Sequence, residues 1–175
     1  MDSLVCGDCG AGEQCPVTPR PGADWVCAVC YSSRPDTEAR TMLTHWSTVL
    51  ERAAKAGWRE LCELLVQLGR VFPPVHYYQL EVKRKLMELV EDYEEETLER
   101  LASKVSHCQE HLAVQAVVAP GLSEYRAYLS SQLAPALYWL AKRRYIAREI
   151  TGPEYRAKLE VTVALRMRFF TKMCD

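Results

Sequence analysis

Apolar residues recur at steps of three or four over most of the chain from residue 37 onward. In the first such stretch they are Met42, Leu43, Trp46, Val49, Leu50 and Ala53. This spacing places them on one face of an amphipathic helix, which we expect to end at Gly57. A second helix is predicted from about Trp58, with leucines on its buried face, and it should stop at the sequence Phe72-Pro73-Pro74 because proline cannot continue the helical hydrogen bonds.

Two further helices are predicted between Pro74 and the turn at Pro120-Gly121. The third begins near Val75 and continues to an acidic run at residues 91–96. The fourth carries its apolar stripe from Leu98 to Leu112, and Pro120-Gly121 marks the turn that follows it. Glu94, Glu95 and Glu96 are interpreted as a solvated helix start, where acidic side chains favour the positive end of the helix dipole.

The last third of the chain predicts two more helices. Residues 123–149 show a helical pattern with Pro135 inside it, which predicts a kink or a local break. Thr151 and Glu154 form the sequence pattern of a capping box, so a sixth helix should start there. Six helices joined by short turns predict a mainly α fold with an antiparallel helical array of the tetratricopeptide type. A plain helical bundle remains open, because no repeat of 34 residues is present.

The first 36 residues have a different composition, rich in Gly, Pro, Cys and Asp and without a helical period. Such a segment suits turns and short strands, and it is too small to be stable without a metal or a covalent link. Residues 32–36 are interpreted as a linker, with Asp36 as the N-cap of the first helix. We therefore predict two domains, a zinc-ribbon-like module at residues 1–36 and a helical domain at residues 37–175.

Four cysteines in this first segment form two CxxC pairs, Cys6 with Cys9 and Cys27 with Cys30, separated by 17 residues. Zinc binds four thiolates tetrahedrally, and a gap of two residues lets both sulfurs of a pair reach the same ion. The four residues are therefore predicted to bind one structural zinc ion with no open coordination position. A redox pair or an accidental cysteine cluster is less favoured. Cys15 stands alone before Pro16 and is interpreted as a bystander.

Composition and charge limit the classes of partner. The 175 residues include eight cysteines and have a net charge of −1. No apolar run is long enough to span a membrane, and the N-terminal residues lack the pattern of a signal peptide. This composition predicts a cytosolic or nuclear protein without membrane binding, where clustered cysteines bind metals instead of forming disulfides. Residues 1–36 hold five acidic and two basic side chains, so direct nucleic-acid binding by the zinc module is disfavoured. A protein partner is the remaining expectation.

Charge is also segregated along the chain. Residues 81–110 hold nine acids and five bases, whereas residues 142–175 hold nine bases and four acids. The two segments could bind a partner or pack against each other, and packing against each other is favoured.

No catalytic residue is predicted in the chain. His107 and His111 stand one helical turn apart, but without a third ligand they are interpreted as a surface pair. Glycine-rich phosphate loops and nucleophile motifs do not occur in the sequence. The chain as given is therefore not expected to be an enzyme.

Several stretches together give a family resemblance. Residues 6–10 have the pattern CxxCG, prolines follow at 16, 19 and 21, and residues 25–30 read WxCxxC. A stretch of proline, histidine and tyrosine follows at residues 72–78. In this order of parts the chain resembles the C-terminal half of the SET and MYND domain lysine methyltransferases, particularly their arthropod-specific branch. It departs from them at Phe72, where a histidine is usual, and near Glu94, where a Tyr-Gly turn is usual.

The resemblance implies a post-SET zinc module and a tetratricopeptide-like cap that binds partner proteins. The catalytic SET core, with its S-adenosylmethionine site, would lie upstream of Met1, and none of its residues maps onto this sequence. We therefore expect a non-catalytic, zinc-binding protein-interaction module. The alternative is that the chain is a fragment of an S-adenosylmethionine-dependent protein-lysine methyltransferase.

Overall fold

The computed structural model describes residues 3–121 and 123–170, except for the side chains of residues 166–170. Within these residues the fold is mainly α, as predicted. The helices are α1 (Asp36–Arg52), α2 (Trp58–Leu68), α3 (Tyr77–Glu88), α4 (Leu98–Val118), α5 (Glu124–Ile146) and α6 (Gly152–Phe170). Each corresponds to one of the six apolar patterns in the sequence. Residues 171–175, which the predicted helical domain included, lie outside the described residues.

The N-terminal segment forms a small antiparallel sheet. Its strands are β1 (Leu4–Val5), β2 (Glu13–Pro16), β3 (Trp25–Cys27) and β4 (Ser33–Arg34), and they pair in chain order. Gln14 lies opposite Leu4 on one side and opposite Cys27 on the other, so β2 separates β1 from β3. The short strands expected from the composition are confirmed.

The chain divides into two compact units, Met1–Leu86 and Met87–Asp175, with the division inside α3. In the first unit, the sheet and the helices share one apolar core. Leu4 from β1 and Trp25 from β3 are buried in the same cluster as Leu50 of α1 and Leu61 of α2. This division differs from the predicted boundary after residue 36. Whether residues 1–36 fold independently stays a prediction for a folding experiment.

The junction between sheet and helix differs from the linker expected at residues 32–36. Ser33 and Arg34 form β4, and Pro35 takes the N-cap position of α1. Asp36 is the first residue of α1 and is buried, so its assignment as the N-cap is wrong. Its carboxylate instead accepts hydrogen bonds from residues that precede β4, which a local capping pattern cannot indicate.

In the second unit, α5 packs against both α4 and α6. Pro135 lies inside α5, which is not broken there.

Of the described helices, none has both the length and the apolar content that a membrane span requires.

Side chains cap the last three helices. The hydroxyl of Thr97 accepts from the backbone N–H of Arg100 at the start of α4. Thr151 and Glu154 form the predicted capping box, because the Thr151 N–H donates to Glu154 Oε2 at 2.7 Å and the Glu154 N–H lies 3.5 Å from Thr151 Oγ1. Glu94–96 lie before Thr97, in the turn that precedes α4, so their interpretation as a helix start is wrong.

Candidate metal centre

The sulfur atoms of Cys6, Cys9, Cys27 and Cys30 all lie within 4.8 Å of one another. The Sγ atoms of Cys6 and Cys30 are 3.6 Å apart, and those of Cys9 and Cys27 are 3.8 Å apart. A tetrahedron with zinc–sulfur bonds of about 2.3 Å has edges of about 3.8 Å, whereas a disulfide bond measures about 2.05 Å. The four thiols are free, and they could therefore coordinate one zinc ion.

The sheet brings the two CxxC turns together. Cys6 directly follows β1 and Cys27 ends β3, and β2 lies between these two strands. The N–H of Cys6 donates to the carbonyl of Gly12, and the N–H of Cys27 donates to the carbonyl of Ser32. Gly12 and Ser32 directly precede β2 and β4, so each turn is closed by the residue that leads into the next strand.

The two turns share a backbone hydrogen bond and a left-handed residue directly after the second cysteine. Gly10 donates its N–H to the Cys6 carbonyl at 2.9 Å, and Tyr31 donates its N–H to the Cys27 carbonyl at 3.1 Å. Gly10 has a φ of 64° and Tyr31 a φ of 61°, both in the left-handed region. Tyrosine rarely adopts this conformation, so the backbone is strained at Tyr31 but not at Gly10.

Gly12 lies directly against the sulfur cluster. A Cβ atom at this position would lie 2.4 Å from the Sγ of Cys27 and 3.0 Å from the side chain of Val29. No side chain fits in that space, and the site therefore requires glycine at position 12. This role of Gly12 is not apparent from the sequence, because the contact joins positions that are far apart in the chain.

Polar groups of the chain make hydrogen bonds with three of the sulfurs. The hydroxyl oxygen of Ser32 lies 3.2 Å from the Sγ of both Cys6 and Cys30, and the Val29 N–H donates to the Sγ of Cys27. The Ser32 hydroxyl is the main cause that lowers the pKa of Cys6 to about 6, and it also lowers the pKa of Cys30. The lower pKa values of Cys6 and Cys30 favour the thiolate, which is the form that binds metals, whereas burial and the neighbouring Cys30 and Cys6 thiols raise the pKa of Cys27. The sequence interpretation of Ser32 as part of a linker misses this contact.

Cys15 does not belong to the cluster. It lies in β2 opposite Val26 and is absent from the group of thiols that could hold one ion. Burial, together with the nearby Glu13 carboxylate, raises the pKa of Cys15 and disfavours its thiolate. Its interpretation as a bystander agrees with this placement.

His107 and His111 do not belong to a group of three or more metal-binding side chains among the described residues. The Nδ1 of His111 lies 2.9 Å from the hydroxyl of Tyr125, and His111 is buried. Its interpretation as part of a surface pair is therefore wrong, because α5 covers that side of α4. Over the residues that the structure describes, the four N-terminal cysteines are the single group of three or more metal-binding side chains.

Two basic side chains of the second unit make hydrogen bonds to neutral oxygens, and one of them, Arg143, joins the basic segment to the acidic segment. The guanidinium of Arg143 donates to the backbone carbonyls of Glu94 and Glu96. The buried ammonium of Lys104 donates to the Val90 carbonyl and to Gln132 Oε1, both at 2.7 Å. Burial lowers the pKa of Lys104, since desolvation disfavours the charged form. These contacts go to neutral oxygens, which a count of charges cannot reveal.

No protein-family model matches the chain, and no curated protein matches it. The resemblance to the SET and MYND family stays a prediction from the residues quoted above.

Proposed function

We propose that this chain is a non-catalytic, zinc-binding module that supports the binding of another protein. The thiol cluster carries the proposal, because two of its sulfur–sulfur distances match the edge of a zinc tetrahedron. Four thiolates fill the coordination shell and leave no position for water or substrate. A zinc ion there would be structural.

The structural role follows from the size of the sheet. Its strands contain two to four residues, too few to be stable without further support. Zinc would hold the two CxxC turns in place, while Leu4 and Trp25 anchor the sheet in the apolar core of the first unit. The ion would thereby fix the sheet as a rigid extension of the helices, in the reducing cytosol or nucleus where free thiols persist.

The protein-binding part of the proposal is supported by exposed apolar side chains at the start of α3. Val75 is 62% exposed and Tyr77 is 65% exposed, next to the proline pair at residues 73–74. The neighbouring Tyr78 has a structural role instead, because its hydroxyl donates to the Leu43 carbonyl at 2.9 Å. We propose that Val75 and Tyr77 contact an extended segment of a partner protein.

Zinc content tests the first part of the proposal. Elemental analysis of the purified chain should give one zinc per chain. Cys27→Ser removes one ligand and should reduce the zinc content well below one, whereas Cys15→Ser is the matched control and should leave it unchanged. A full equivalent of zinc in Cys27→Ser, or none in the unsubstituted chain, would contradict the assignment.

The second candidate is a fragment of a SET and MYND methyltransferase, which is supported by the CxxCG and WxCxxC patterns at residues 6–10 and 25–30. Under the main proposal the chain alone has no site for S-adenosylmethionine. Isothermal titration should therefore give no binding tighter than about 100 μM, or about −5.5 kcal/mol. The second candidate also places that site outside this chain, so tighter binding would contradict both candidates, whereas a SET region encoded upstream of Met1 would favour the second.

A further inference from the structure

The four thiols of the metal centre differ in their access to solvent. Cys6 and Cys27 are buried, whereas Cys9 is at least partly exposed and Cys30 is exposed. Cys9 and Cys30 occupy the same place in their respective CxxC turns. A reagent from solvent therefore meets these two sulfurs first.

A hydroxyl group distinguishes the two exposed sulfurs. Ser32 Oγ lies 3.2 Å from the Sγ of Cys30 and 3.2 Å from the Sγ of Cys6, so it lies beside the edge that joins them. Ala11 and Gly12, in the corresponding places after Cys9, carry no hydroxyl. The Cys6–Cys30 edge therefore has a side-chain hydrogen-bond donor that the sequence does not supply after Cys9.

The backbone holds Ser32 in this position. Its carbonyl accepts the N–H of Cys27 at 2.9 Å, and the strand β4 begins at the next residue. On the other side, the left-handed conformation of Tyr31 turns the chain back toward the sulfurs. The hydroxyl is thus fixed next to the metal centre instead of sampling many positions.

We infer that Ser32 makes the metal centre chemically asymmetric and that soft electrophiles modify Cys9 in preference to Cys30. This inference rests on the proposed zinc site. A zinc-bound thiolate can only accept hydrogen bonds, so the single hydrogen of the Ser32 hydroxyl is shared between the Cys6 and Cys30 sulfurs and withdraws electron density from both. That hydrogen bond must weaken when the Cys30 sulfur forms a bond to carbon, which raises the barrier at Cys30.

The reaction with a haloacetamide illustrates the chemistry. The Cys9 thiolate attacks the carbon that carries iodine, a sulfur–carbon bond forms, and iodide leaves with the bonding electron pair. The thioether that results has no negative charge and is a weaker zinc ligand than a thiolate. Modification of Cys9 would therefore release zinc and loosen the sheet.

The test uses the full chain loaded with zinc and less than one equivalent of iodoacetamide. Mass spectrometry of the digested protein should show about five times more modification at Cys9 than at Cys30, in line with one hydrogen bond to sulfur. Ser32→Ala should bring the two yields within about twofold, whereas Ser32→Thr restores the hydroxyl and the preference. Ser33→Ala, next to Ser32 and exposed, is the matched control.

A spectroscopic measurement separates this role from a general effect on folding. With cobalt in place of zinc, Ser32→Ala should shift the sulfur-to-metal charge-transfer band to lower energy, because sulfur without the hydrogen bond is the stronger electron donor. Ser33→Ala should leave the band in place. Preferential modification of Cys30, or equal ratios in the unsubstituted chain and in Ser32→Ala, would overturn the inference. Zinc content measured on the same samples distinguishes that result from failure of the proposed zinc site, because a chain that binds no zinc would overturn both.

Discussion

The indole Nε1 of Trp25 donates a buried hydrogen bond of 3.0 Å to Oδ1 of Asp36, which joins strand β3 to the first residue of α1. The other carboxylate oxygen of Asp36 accepts the N–H of Gly22 at 2.9 Å and the Nε of Arg40 at 2.6 Å. Three segments of the first unit thus meet at one carboxylate. The same side chain also places a negative charge in the first turn of α1, where the helix dipole favours it.

This arrangement predicts a dependence of stability on pH. The hydrogen bond from Arg40, followed by that from Trp25, lowers the pKa of Asp36 below its ordinary value. A carboxyl group with a lowered pKa in the folded state stabilises the fold above its unfolded pKa of about 3.9, and it loses that contribution as the pH falls through the folded value. Asp36→Asn should therefore lower the thermal midpoint by several degrees at pH 7.

The difference between Asp36→Asn and the unsubstituted chain should shrink as the pH is lowered from about 4 toward 2. Thermal unfolding followed by circular dichroism at several pH values measures it. Asp24→Asn is the control, because Asp24 is exposed. A midpoint difference that did not change over this pH range would contradict the role given to the Asp36 carboxylate.

Gly12 gives a prediction about metal affinity. Gly12→Ala places a methyl group 2.4 Å from the Sγ of Cys27, so either the sulfur or the backbone must move. We expect the affinity for zinc to fall at least about tenfold, which corresponds to about 1.4 kcal/mol. Competition with a chromophoric chelator measures the affinity.

Ala11→Gly is the matched control for Gly12→Ala, since it changes an exposed neighbour and adds no atom. Unchanged zinc affinity in Gly12→Ala would show that the backbone relaxes at no cost and that glycine is not required there.

The sequence predicted those features that depend on local spacing. The six helices follow from apolar periodicity. The candidate zinc site follows from the two CxxC pairs, because a gap of two residues lets both sulfurs of a pair reach one ion. Asp36, Ser32 and His111 were misinterpreted because their partners lie elsewhere in the chain. Asp36 binds Trp25, Ser32 contacts Cys6 across the sheet, and His111 contacts Tyr125 from the next helix. A pattern read along one segment contains no information about such contacts.

Removal of zinc tests where the metal-dependent part of the fold ends. The sequence placed this boundary after residue 36, but the buried side chains of Leu4 and Trp25 share a core with α1 and α2, and the Val5 N–H donates to the Val71 carbonyl at 2.8 Å. We therefore expect chelation to increase hydrogen exchange in residues 3–36 and also in α1 and α2. The helices α4 and α5 should keep their protection, because they belong to the other compact unit.

Mass spectrometry of the exchanged protein, with and without a strong chelator, measures this effect. Cys15→Ser treated in the same way controls for effects of the chelator on thiols outside the cluster. Faster exchange confined to residues 3–36 would support the boundary that the sequence predicted, and faster exchange in α4 and α5 would contradict both divisions.

Substitution by alanine should have very different effects on stability at the adjacent residues Tyr77 and Tyr78. Tyr78 packs edge to face against Phe72, with ring centroids 5.1 Å apart, and its hydroxyl holds the Leu43 carbonyl. Tyr78→Ala removes both contacts and leaves a cavity, so it should destabilise the first unit by about 3 kcal/mol. Tyr77 is 65% exposed, and Tyr77→Ala should change stability by no more than about 0.5 kcal/mol. Urea unfolding of the two variants measures the difference.

Binding experiments then decide whether the exposed ring has a function. A protein captured from a cell extract by the unsubstituted chain, and identified by mass spectrometry, should be lost in Tyr77→Ala and retained in Tyr145→Ala. Tyr145 is the matched control, because it is 46% exposed and lies on α5, in the other compact unit. Equal capture by the two variants would contradict the proposal that Val75 and Tyr77 contact a partner protein. A Tyr77→Ala variant as unstable as Tyr78→Ala would show that Tyr77 contributes to the core instead.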